Sequence, residues 1–511
     1  MTPKVYRTWR NGKRRILRRL DKTRVPAGGD RPQFAARNIH YELGDRCHGL
    51  TCGGIGAIHL LAQRLGLPEA INQRLHLLLI HLPYHESDHV LNLAYNPLCG
   101  GTCLEDLELR RNDAVYLDAL DTTRIPDPTT AGDFCRRFKE SNIRDLLGAI
   151  NDVRLKAWAQ QPAEFFDEAI LDADGSLVET TGECKEGMDI AYDGTWGYHP
   201  VVVSLANTGE VMSLVNRSGN RPSHEGAAAE IDQALGVCFR GGFRRALLRG
   251  DTDFSQTQHL DRWHNDGRIR FIFGYDAMSN LTAQAQELPE NAWKKLKRPP
   301  RYQVQTEPRA KPANVKERIV REREFKTLRL QAEHVAEFTY RPTACQHSYR
   351  MIVVRKDILT TKGEQVLFDE ARYRYFFYIT NDWTTPATQL VFLANNRCHQ
   401  ENLLAQLHGM HALHSPVDTL LSNWAYMVMT SLGWTLKAWF ALLLPETPGP
   451  HHAKYQREKR WVLGMEFRTF LNCFMNLPCQ IIRAGRRIVY RLLSWSPHQP
   501  ILFRLVEALG H

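Results

Sequence analysis

The sequence lacks an apolar segment at its N-terminus and has no uninterrupted apolar run suited to span a bilayer. Charged residues occur throughout the first 24 positions, which argues against a secretory signal peptide. The most apolar long segment, residues 424–445, contains Lys437 and several Ser and Thr residues. It therefore favours a buried core helix over a transmembrane helix. These absences predict a cytoplasmic protein with no membrane partner.

Cysteines are scattered and odd in number, with 11 in 511 residues. In a chain without an export signal, reduced thiols are expected rather than a disulfide framework. The close pairs are Cys47 with Cys52 and Cys99 with Cys103, and they leave a structural zinc site as an alternative. A zinc hydrolase site is a less well supported alternative.

Acidic residues are scarce in two segments of a chain whose formal charge is +10 and whose pI is about 9.0. Residues 1–24 contain ten Lys or Arg and one acid, and residues 293–329 contain thirteen Lys or Arg and four Glu. Such a balance favours a polyanionic partner. For the N-terminal segment, a solvated terminus is the alternative. The candidate phosphate-binding side chains are Arg14, Arg15, Lys294, Lys295, Lys297 and Arg298.

The length of 511 residues, with 43% hydrophobic and 24% charged residues, predicts a globular protein of two to four domains. Helical spacing of apolar residues dominates residues 50–138, and strand-like runs begin near residue 168. We predict a basic, poorly ordered arm at 1–40 and a helical domain at 41–165, which serves DNA binding or dimerisation or is purely structural. The catalytic core follows in two parts, 166–276 and 373–450. Between them lies a basic insertion domain, 277–372, with strand character in its second half, and a basic helical tail, 451–511, ends the chain.

The predicted core alternates strands and helices. Strands are predicted at residues 169–178, 198–206, 210–215, 246–251, 269–274 and 373–381, and helices at 223–235, 255–265 and from about 396. Three meandering strands followed by helix and strand in alternation predict an α/β fold with a mixed sheet and helices on its faces. This order resembles the ribonuclease-H-like fold, which implies that the first and fourth strands lie side by side.

Two of these strands end in aspartate. The first carries Asp172 and Asp174, and the strand at 246–251 ends at Asp251. Asp172 and Asp174 are two residues apart and share one face of the strand, so spacing alone does not choose between them. Carboxylates gathered from separate elements are typical ligands of hard divalent cations that assist phosphoryl transfer.

A third acid follows near residue 400. Arg397 and Glu401 are four residues apart and share one face of a helix, and His408 returns to that face two turns later. An Arg-x3-Glu pair alone is most often a solvated ion pair, and His408 alone is most often an ordinary core or surface histidine. The two aspartate-ended strands favour a functional interpretation.

These residues resemble those of bacterial insertion-sequence DDE transposases, in the group with a Tyr-x2-Arg-x3-Glu-x6-Lys signature. Arg397 and Glu401 match the core of that signature, while Ala394 replaces the Tyr and His408 replaces the Lys. The family's first motif, Asp before a small residue and Ser or Thr, matches Asp174 with the Gly-Ser that follows. The resemblance therefore favours Asp174 over Asp172.

The second family motif matches residues 248–254, Leu-Arg-Gly-Asp-Thr-Asp-Phe, and makes Asp251 the second acid. Asp253 stands where relatives usually have glycine and is a rival ligand. The resemblance implies that Asp174, Asp251 and Glu401 bind two Mg²⁺ or Mn²⁺ ions. It also implies that Arg397 contacts phosphate or orients Glu401, and that His408, in the place of the signature's lysine, is a further candidate DNA contact.

The resemblance further implies a nucleoid-associated enzyme that cleaves DNA at the ends of an insertion sequence and joins the freed 3′-hydroxyl to target DNA. Its partners would be double-stranded terminal inverted repeats and target DNA, and at least a homodimer would form the active complex. Two alternatives remain: a DNA-binding relic or regulator without catalysis, and a ribonuclease-H-like nuclease that cuts without joining strands.

Overall fold

The structure is a computed structural model, and it describes residues 2–21, 40, 48–81, 83–298, 328–360, 373–485 and 487–510. The chain divides into two compact units. The first contains residues 1–165, 175–221 and 402–511, and the second contains residues 166–174 and 222–401. Both units are discontinuous in sequence, so each depends on segments that are far apart along the chain.

Helices occur in both units. In chain order they are α1 Pro3–Arg19, α2 Ile55–Leu65, α3 Leu67–Arg74, α4 Glu86–Leu98, α5 Leu107–Arg111, α6 Ala114–Ala119, α7 Pro128–Arg136, α8 Glu140–Trp158, α9 Ala227–Arg240, α10 Thr257–Asn265, α11 Ser279–Glu287, α12 Ala387–Asn395, α13 Cys398–Gly409, α14 Leu420–Leu442, α15 His452–Leu463, α16 Phe467–Phe470 and α17 Gln499–Leu509.

The strands are β1 Gly49–Leu50, β2 Glu168–Gly175, β3 Val178–Glu179, β4 Asp189–Ile190, β5 Trp196–Tyr198, β6 Val201–Leu205, β7 Glu210–Val215, β8 Arg245–Gly250, β9 Ile269–Tyr275, β10 Lys294–Lys295, β11 Leu328–Tyr340, β12 Tyr349–Thr360, β13 Tyr373–Thr380, β14 Cys479–Ala484 and β15 Arg487–Leu492. The predicted strand at 210–215 is confirmed as β7. Strands β8, β9 and β13 lie within one residue of their predicted bounds. The combination of helices with a large mixed sheet confirms the α/β class.

Helix α14 forms the centre of the first unit. It begins at the cap Thr419, whose Oγ1 accepts a hydrogen bond from the backbone N–H of Ser422 at 3.1 Å. Its residues are buried from Ser422 to its end, and it packs against α4, α7, α8 and β7. Buried Lys437 donates to the carbonyl of Leu463 at 2.9 Å. This confirms the predicted core helix, and no described helix is both long and apolar enough to cross a bilayer.

A buried carboxylate joins three elements of this unit. Glu210 on β7 is fully buried and accepts from Arg154 Nε on α8 at 3.0 Å. The indole N–H groups of Trp158 and Trp439 donate to its two oxygens at 2.9 and 2.8 Å, and Thr208 donates at 2.7 Å. Since both oxygens are satisfied, the charge of Glu210 is tolerated inside the core.

The second unit is built on a mixed sheet. Its strands lie in the order β10, β11, β12, β13, β9, β8, β2. Strands β2, β8 and β9 are parallel, and the others pair antiparallel. Strands β10 to β12 come from the predicted basic insertion and continue this sheet beside β13. The remainder of that segment, residues 299–327 and 361–372 with the predicted strand at 365–369, lies outside the described residues.

Helix α12 covers one face of this sheet. Its residues Leu390, Val391 and Ala394 pack against Leu247 of β8 and Ile272 of β9 in a buried apolar cluster. Removal of such apolar side chains from water is the main contribution that stabilises a helix against a sheet. The packing places the end of α12, and the turn that follows it, near the carboxyl ends of the parallel strands.

Two predicted segments differ from the structure. The N-terminal arm was expected to be poorly ordered, but residues 3–19 form α1. Thr2 caps this helix and Pro3 opens it, and the Trp9 indole donates to the carbonyl of Ser496 at 3.0 Å. The basic tail was expected to be helical, but it contains the hairpin of β14 and β15. Its turn contains Gly485, whose φ of 61° suits glycine.

We predict that Glu210→Ala lowers the free energy of unfolding by about 3–5 kcal/mol, because the buried Arg154 charge and two indole N–H groups lose their acceptor. Urea denaturation followed by tryptophan fluorescence would measure the loss. Glu183→Ala, at an exposed position of the same unit, is the matched control and should change stability by less than about 0.5 kcal/mol. Equal stability of both variants would contradict the assigned role of Glu210.

Candidate active site

The strand register places the two aspartates side by side. Strands β2 and β8 are parallel, and Asp172 lies directly opposite Arg249. Asp174 and Asp251 each follow two residues later, so they lie on the same face beyond the last paired position. This confirms that the strands carrying these aspartates are neighbours.

A buried ion pair lies immediately below them. Arg249 donates from Nε and Nη2 to the two carboxylate oxygens of Asp172, both at 2.7 Å. Its third nitrogen, Nη1, donates to the carbonyl of Leu393 on α12 at 3.1 Å. One guanidinium therefore joins β2, β8 and α12, and we call this set the Arg249 clamp. Both of its charged side chains are nearly inaccessible to solvent.

The clamp bears on the choice between Asp172 and Asp174. Burial raises the pKa of Asp172, and the hydrogen bonds from Arg249 oppose that rise. Both oxygens of Asp172 accept hydrogen bonds from Arg249, and the Asp172 side chain is only 1% exposed. The Asp174 side chain remains partly exposed at 14%. Of the two aspartates, Asp174 is therefore the one whose side chain is accessible to solvent.

Arg397 lies among the three predicted carboxylates. Its Nη1 lies 3.0 Å from Asp174 Oδ2 and 3.8 Å from Asp251 Oδ2. Its Nη2 lies 3.4 Å from Glu401 Oε1. Arg397 occupies the turn between α12 and α13, and Glu401 lies in the first turn of α13. The structure therefore brings Asp174, Asp251 and Glu401 around one guanidinium group.

Asp251 is held by its own backbone turn. Its Oδ1 accepts a hydrogen bond from the N–H of Asp253 at 3.0 Å. Burial raises the pKa of Asp251, the nearby Arg397 lowers it, and the charge of Asp253 raises it. The rival ligand Asp253 has an exposed side chain, and it does not appear among the described ion pairs of Arg397.

The chemistry of the donors fits a hard divalent cation, because all three side chains offer carboxylate oxygen. Their present arrangement does not form a complete metal site: within the described part of the chain, no three His, Cys, Asp or Glu side chains are placed to hold one ion. The cation among these carboxylates is the Arg397 guanidinium. For the alternative of a structural zinc site, no group of three such side chains occurs among the described residues either. Cys47, one of the predicted cysteines, lies outside the described residues.

An open groove of about 330 Å³ adjoins the carboxylates. Its lining includes Asp251, Tyr378, Asn395 and Arg397. The Tyr378 hydroxyl donates to Asn395 Oδ1 at 3.4 Å, while the buried Asn395 Nδ2 has no partner among the described residues. The sequence alone did not indicate this groove. In the sequence, the aromatic residues that line the groove indicated only a strand. The position of Asn395 in the groove depends on how α12 packs on the sheet.

His408 and Ser176 meet in the first unit. Ser176 Oγ and His408 Nε2 are 2.8 Å apart. Burial lowers the pKa of His408, and the charge of His411 lowers it further. Gly175 leaves room for His199, because a Cβ at this glycine would lie 2.6 Å from His199 Nε2. The position at which the family signature has a lysine is thus occupied here by a histidine that is hydrogen-bonded to Ser176.

The predicted phosphate-binding residues differ in their surroundings. Lys294 and Lys295 are exposed on β10, the edge strand of the second unit, and Lys297 is exposed after it. Arg298 instead donates to the buried Glu333, with Nη2 and Oε1 3.0 Å apart. Arg14 and Arg15 are exposed on α1 of the first unit. Of these six side chains, Arg298 has a charge that an internal carboxylate already balances.

We predict that Arg249→Met alone lowers the free energy of unfolding by about 3–5 kcal/mol, because it leaves Asp172 buried without its partner. Combining it with Asp172→Leu should recover most of that loss, since an apolar pair of similar volume removes both charges. Urea denaturation of the four proteins in a double-mutant cycle measures the coupling. Additive effects of the two substitutions would contradict the clamp.

The chain is similar to one known protein family and to a solved transposase structure. The family described as "Transposase DDE domain group 1" matches residues 50–511. No curated protein matches the chain. Among solved structures, a piggyBac transposase synaptic complex with hairpin DNA is similar, with 11% sequence identity and a TM-score of 0.35 over 83% of this chain and 82% of that chain.

The likeness to the solved structure is too distant to carry an argument, whereas the family match covers most of the sequence. It includes the strands and the helix that bring Asp174, Asp251 and Glu401 together. The chain therefore belongs to the DDE transposases, in the family of transposase DDE domain group 1.

Proposed function

We propose that this chain cleaves DNA at the ends of an insertion sequence and transfers the strand to target DNA by metal-dependent phosphoryl transfer. The observation that carries this proposal is the convergence of three carboxylates from β2, from the turn after β8 and from α13 on one cation. Family membership supports a transposase. We further propose that the parallel strands β2, β8 and β9, with α12 on their face, form a ribonuclease-H-like core.

In this proposal Asp174, Asp251 and Glu401 hold two Mg²⁺ or Mn²⁺ ions. When bound, such ions supply activation of the attacking water or hydroxyl and stabilisation of the leaving oxygen at phosphorus. The chain's own contribution is to place the ligands. Glu401 lies in the first turn of α13, where the helix dipole stabilises a carboxylate. The Arg249 clamp holds β2 and β8 in register beneath Asp174 and Asp251.

Double-stranded DNA is the proposed partner. The exposed cations Arg14 and Arg15 of α1, and Lys294, Lys295 and Lys297 around β10, are suited to phosphate contacts. A competing interpretation of β10 is that its lysines prevent this edge strand from pairing with a strand of another molecule. Joining two DNA ends requires that both be held together, so we propose a homodimer as the active complex.

We predict that Asp251→Asn or Glu401→Gln abolishes Mg²⁺-dependent cleavage of a plasmid carrying the element ends and leaves end binding within about twofold, because these residues hold ions rather than the duplex. Gel assays of cleavage and of DNA binding measure the two properties. Asp253→Asn is the matched control, since it also removes an acid of this turn, and it should retain cleavage.

Each alternative function has a distinct outcome. Cleavage by Asp251→Asn at the wild-type rate would remove the proposed site. Binding of the ends by the wild type without cleavage in Mg²⁺ or Mn²⁺ would favour the regulator. Cleavage without joined products on target plasmid would favour a nuclease without strand transfer.

We predict that replacing Lys294, Lys295 and Lys297 together with Gln makes DNA binding less sensitive to salt. The slope of log K against log salt should become shallower by about 0.9 for each phosphate that these lysines neutralise. Fluorescence anisotropy with labelled duplex at several salt concentrations measures the slope. Arg298→Gln is the contrast and should leave the slope unchanged, because Glu333 already balances its charge. A slope unaltered by the triple substitution would support the edge-protection interpretation.

A further inference from the structure

The cation that the three carboxylates contact belongs to the chain itself. Arg397 reaches Asp174 and Asp251 with one nitrogen and Glu401 with the other. The Arg397 side chain is only 18% exposed and that of Asp174 14%, so their contact forms in a partly desolvated place, whereas Glu401 is 58% exposed. Charge interactions are stronger there than on an open surface, because water screens them less.

A divalent cation would need the same oxygen atoms. Hard cations bind carboxylate oxygen at about 2.0–2.6 Å, and the Oδ2 atoms of Asp174 and Asp251 lie within 3.8 Å of the same Arg397 nitrogen. An ion bound to both oxygens would therefore lie close to the guanidinium. Two like charges at such a distance repel, so the present position of Arg397 and a bound ion exclude each other.

The neighbouring groove offers Arg397 an alternative position. Arg397 already lines it together with Tyr378 and Asn395, and its volume of about 330 Å³ is ample for a guanidinium group. The residue lies in the turn between two helices, where a change of side-chain rotamer leaves the backbone of both helices in place. Because the groove is open, a guanidinium in it would be accessible from solvent, and this group is well suited to bind a phosphate.

We propose that Arg397 and a divalent cation are alternative occupants of the Asp174, Asp251 and Glu401 site. Without a bound ion, the single positive charge of Arg397 offsets part of the negative charge of the three carboxylates. Metal binding displaces its side chain into the groove, where it becomes available to a DNA phosphate. This inference rests on the proposed metal site, and it makes Arg397 a competitor of the metal rather than a support for it.

The alternative role for Arg397, in which it orients the carboxylates, predicts the opposite change in metal affinity when Arg397 is removed. If Arg397 only orients the carboxylates for the metal, its removal loosens the ligands and weakens metal binding. If it competes, its removal strengthens metal binding. The sign of one affinity change therefore distinguishes the two roles, without any measurement of catalysis.

The experiment measures Mn²⁺ binding to the full-length chain without DNA, by titration calorimetry and by the electron paramagnetic resonance signal of free Mn²⁺. We expect Arg397→Gln to lower the apparent dissociation constant for Mn²⁺ about tenfold. This is the change expected if Arg397 leaves the carboxylates available to the ion in about one-tenth of the wild-type molecules. Arg397→Lys keeps the charge and should bind Mn²⁺ with intermediate affinity. Arg262→Gln, which removes an exposed cation of the same unit, should equal the wild type.

Thermal unfolding supplies a second measurement that also tests folding. Metal-free Arg397→Gln should melt below the wild type, because the carboxylates repel each other without their cation. It should gain more in Tm than the wild type from the same Mn²⁺ concentration, since ligand stabilisation rises with affinity. If Arg397→Gln does not fold, Arg397→Lys decides the question by the same comparison. Unchanged or weaker Mn²⁺ binding in the folded variant would overturn the proposal.

A double variant separates this inference from the proposed function. Asp174→Asn with Asp251→Asn should remove Mn²⁺ binding in both the wild-type and the Arg397→Gln backgrounds. Retained binding in both would refute the metal site and with it the proposed function. Loss of binding, combined with no gain of affinity in Arg397→Gln, would refute only the competition between Arg397 and the metal.

Discussion

The hydrogen bonds of one buried guanidinium hold the candidate site together. Arg249 binds both oxygens of Asp172 on the neighbouring strand and the carbonyl of Leu393 on α12. Asp174 and Asp251 each lie two residues beyond the clamped positions, and Arg397 lies four residues beyond Leu393. A shift of any of the three elements would therefore break buried charged hydrogen bonds, which is far costlier than the loss of a surface ion pair.

Above the clamp, the carboxylates face an electrostatic constraint. Acids that lie close together in a partly buried place repel one another, and burial raises the pKa of Asp251. The divalent cations proposed above would relieve that repulsion by their charge. In the structure the Arg397 guanidinium fills this role. We regard the exchange of one cation for another as the feature that links the free protein to the proposed catalytic state.

Prediction from sequence was most accurate where the signal is local. The edges of β7, β8, β9 and β13 follow from apolar runs and flanking turn residues. Helix α14, buried from Ser422 to its end, follows from an apolar segment with too many polar residues to span a membrane. It was wrong for α1, where ordering depends on contact between Trp9 and a distant loop. It was also wrong for part of the tail. The mixture of basic and apolar residues there was interpreted as helical, but these residues form strands because β14 and β15 pair with each other.

The sequence by itself determined which acids were candidates, their order along the chain and the elements that carry them, since these depend on residue type and short-range spacing. Only the tertiary structure decided that Asp172 is bound by Arg249 while Asp174 faces Arg397. Two aspartates on one face of a strand are equivalent in local pattern. They become different only when a neighbouring strand brings a guanidinium to one of them, and that hydrogen bond joins residues 77 positions apart.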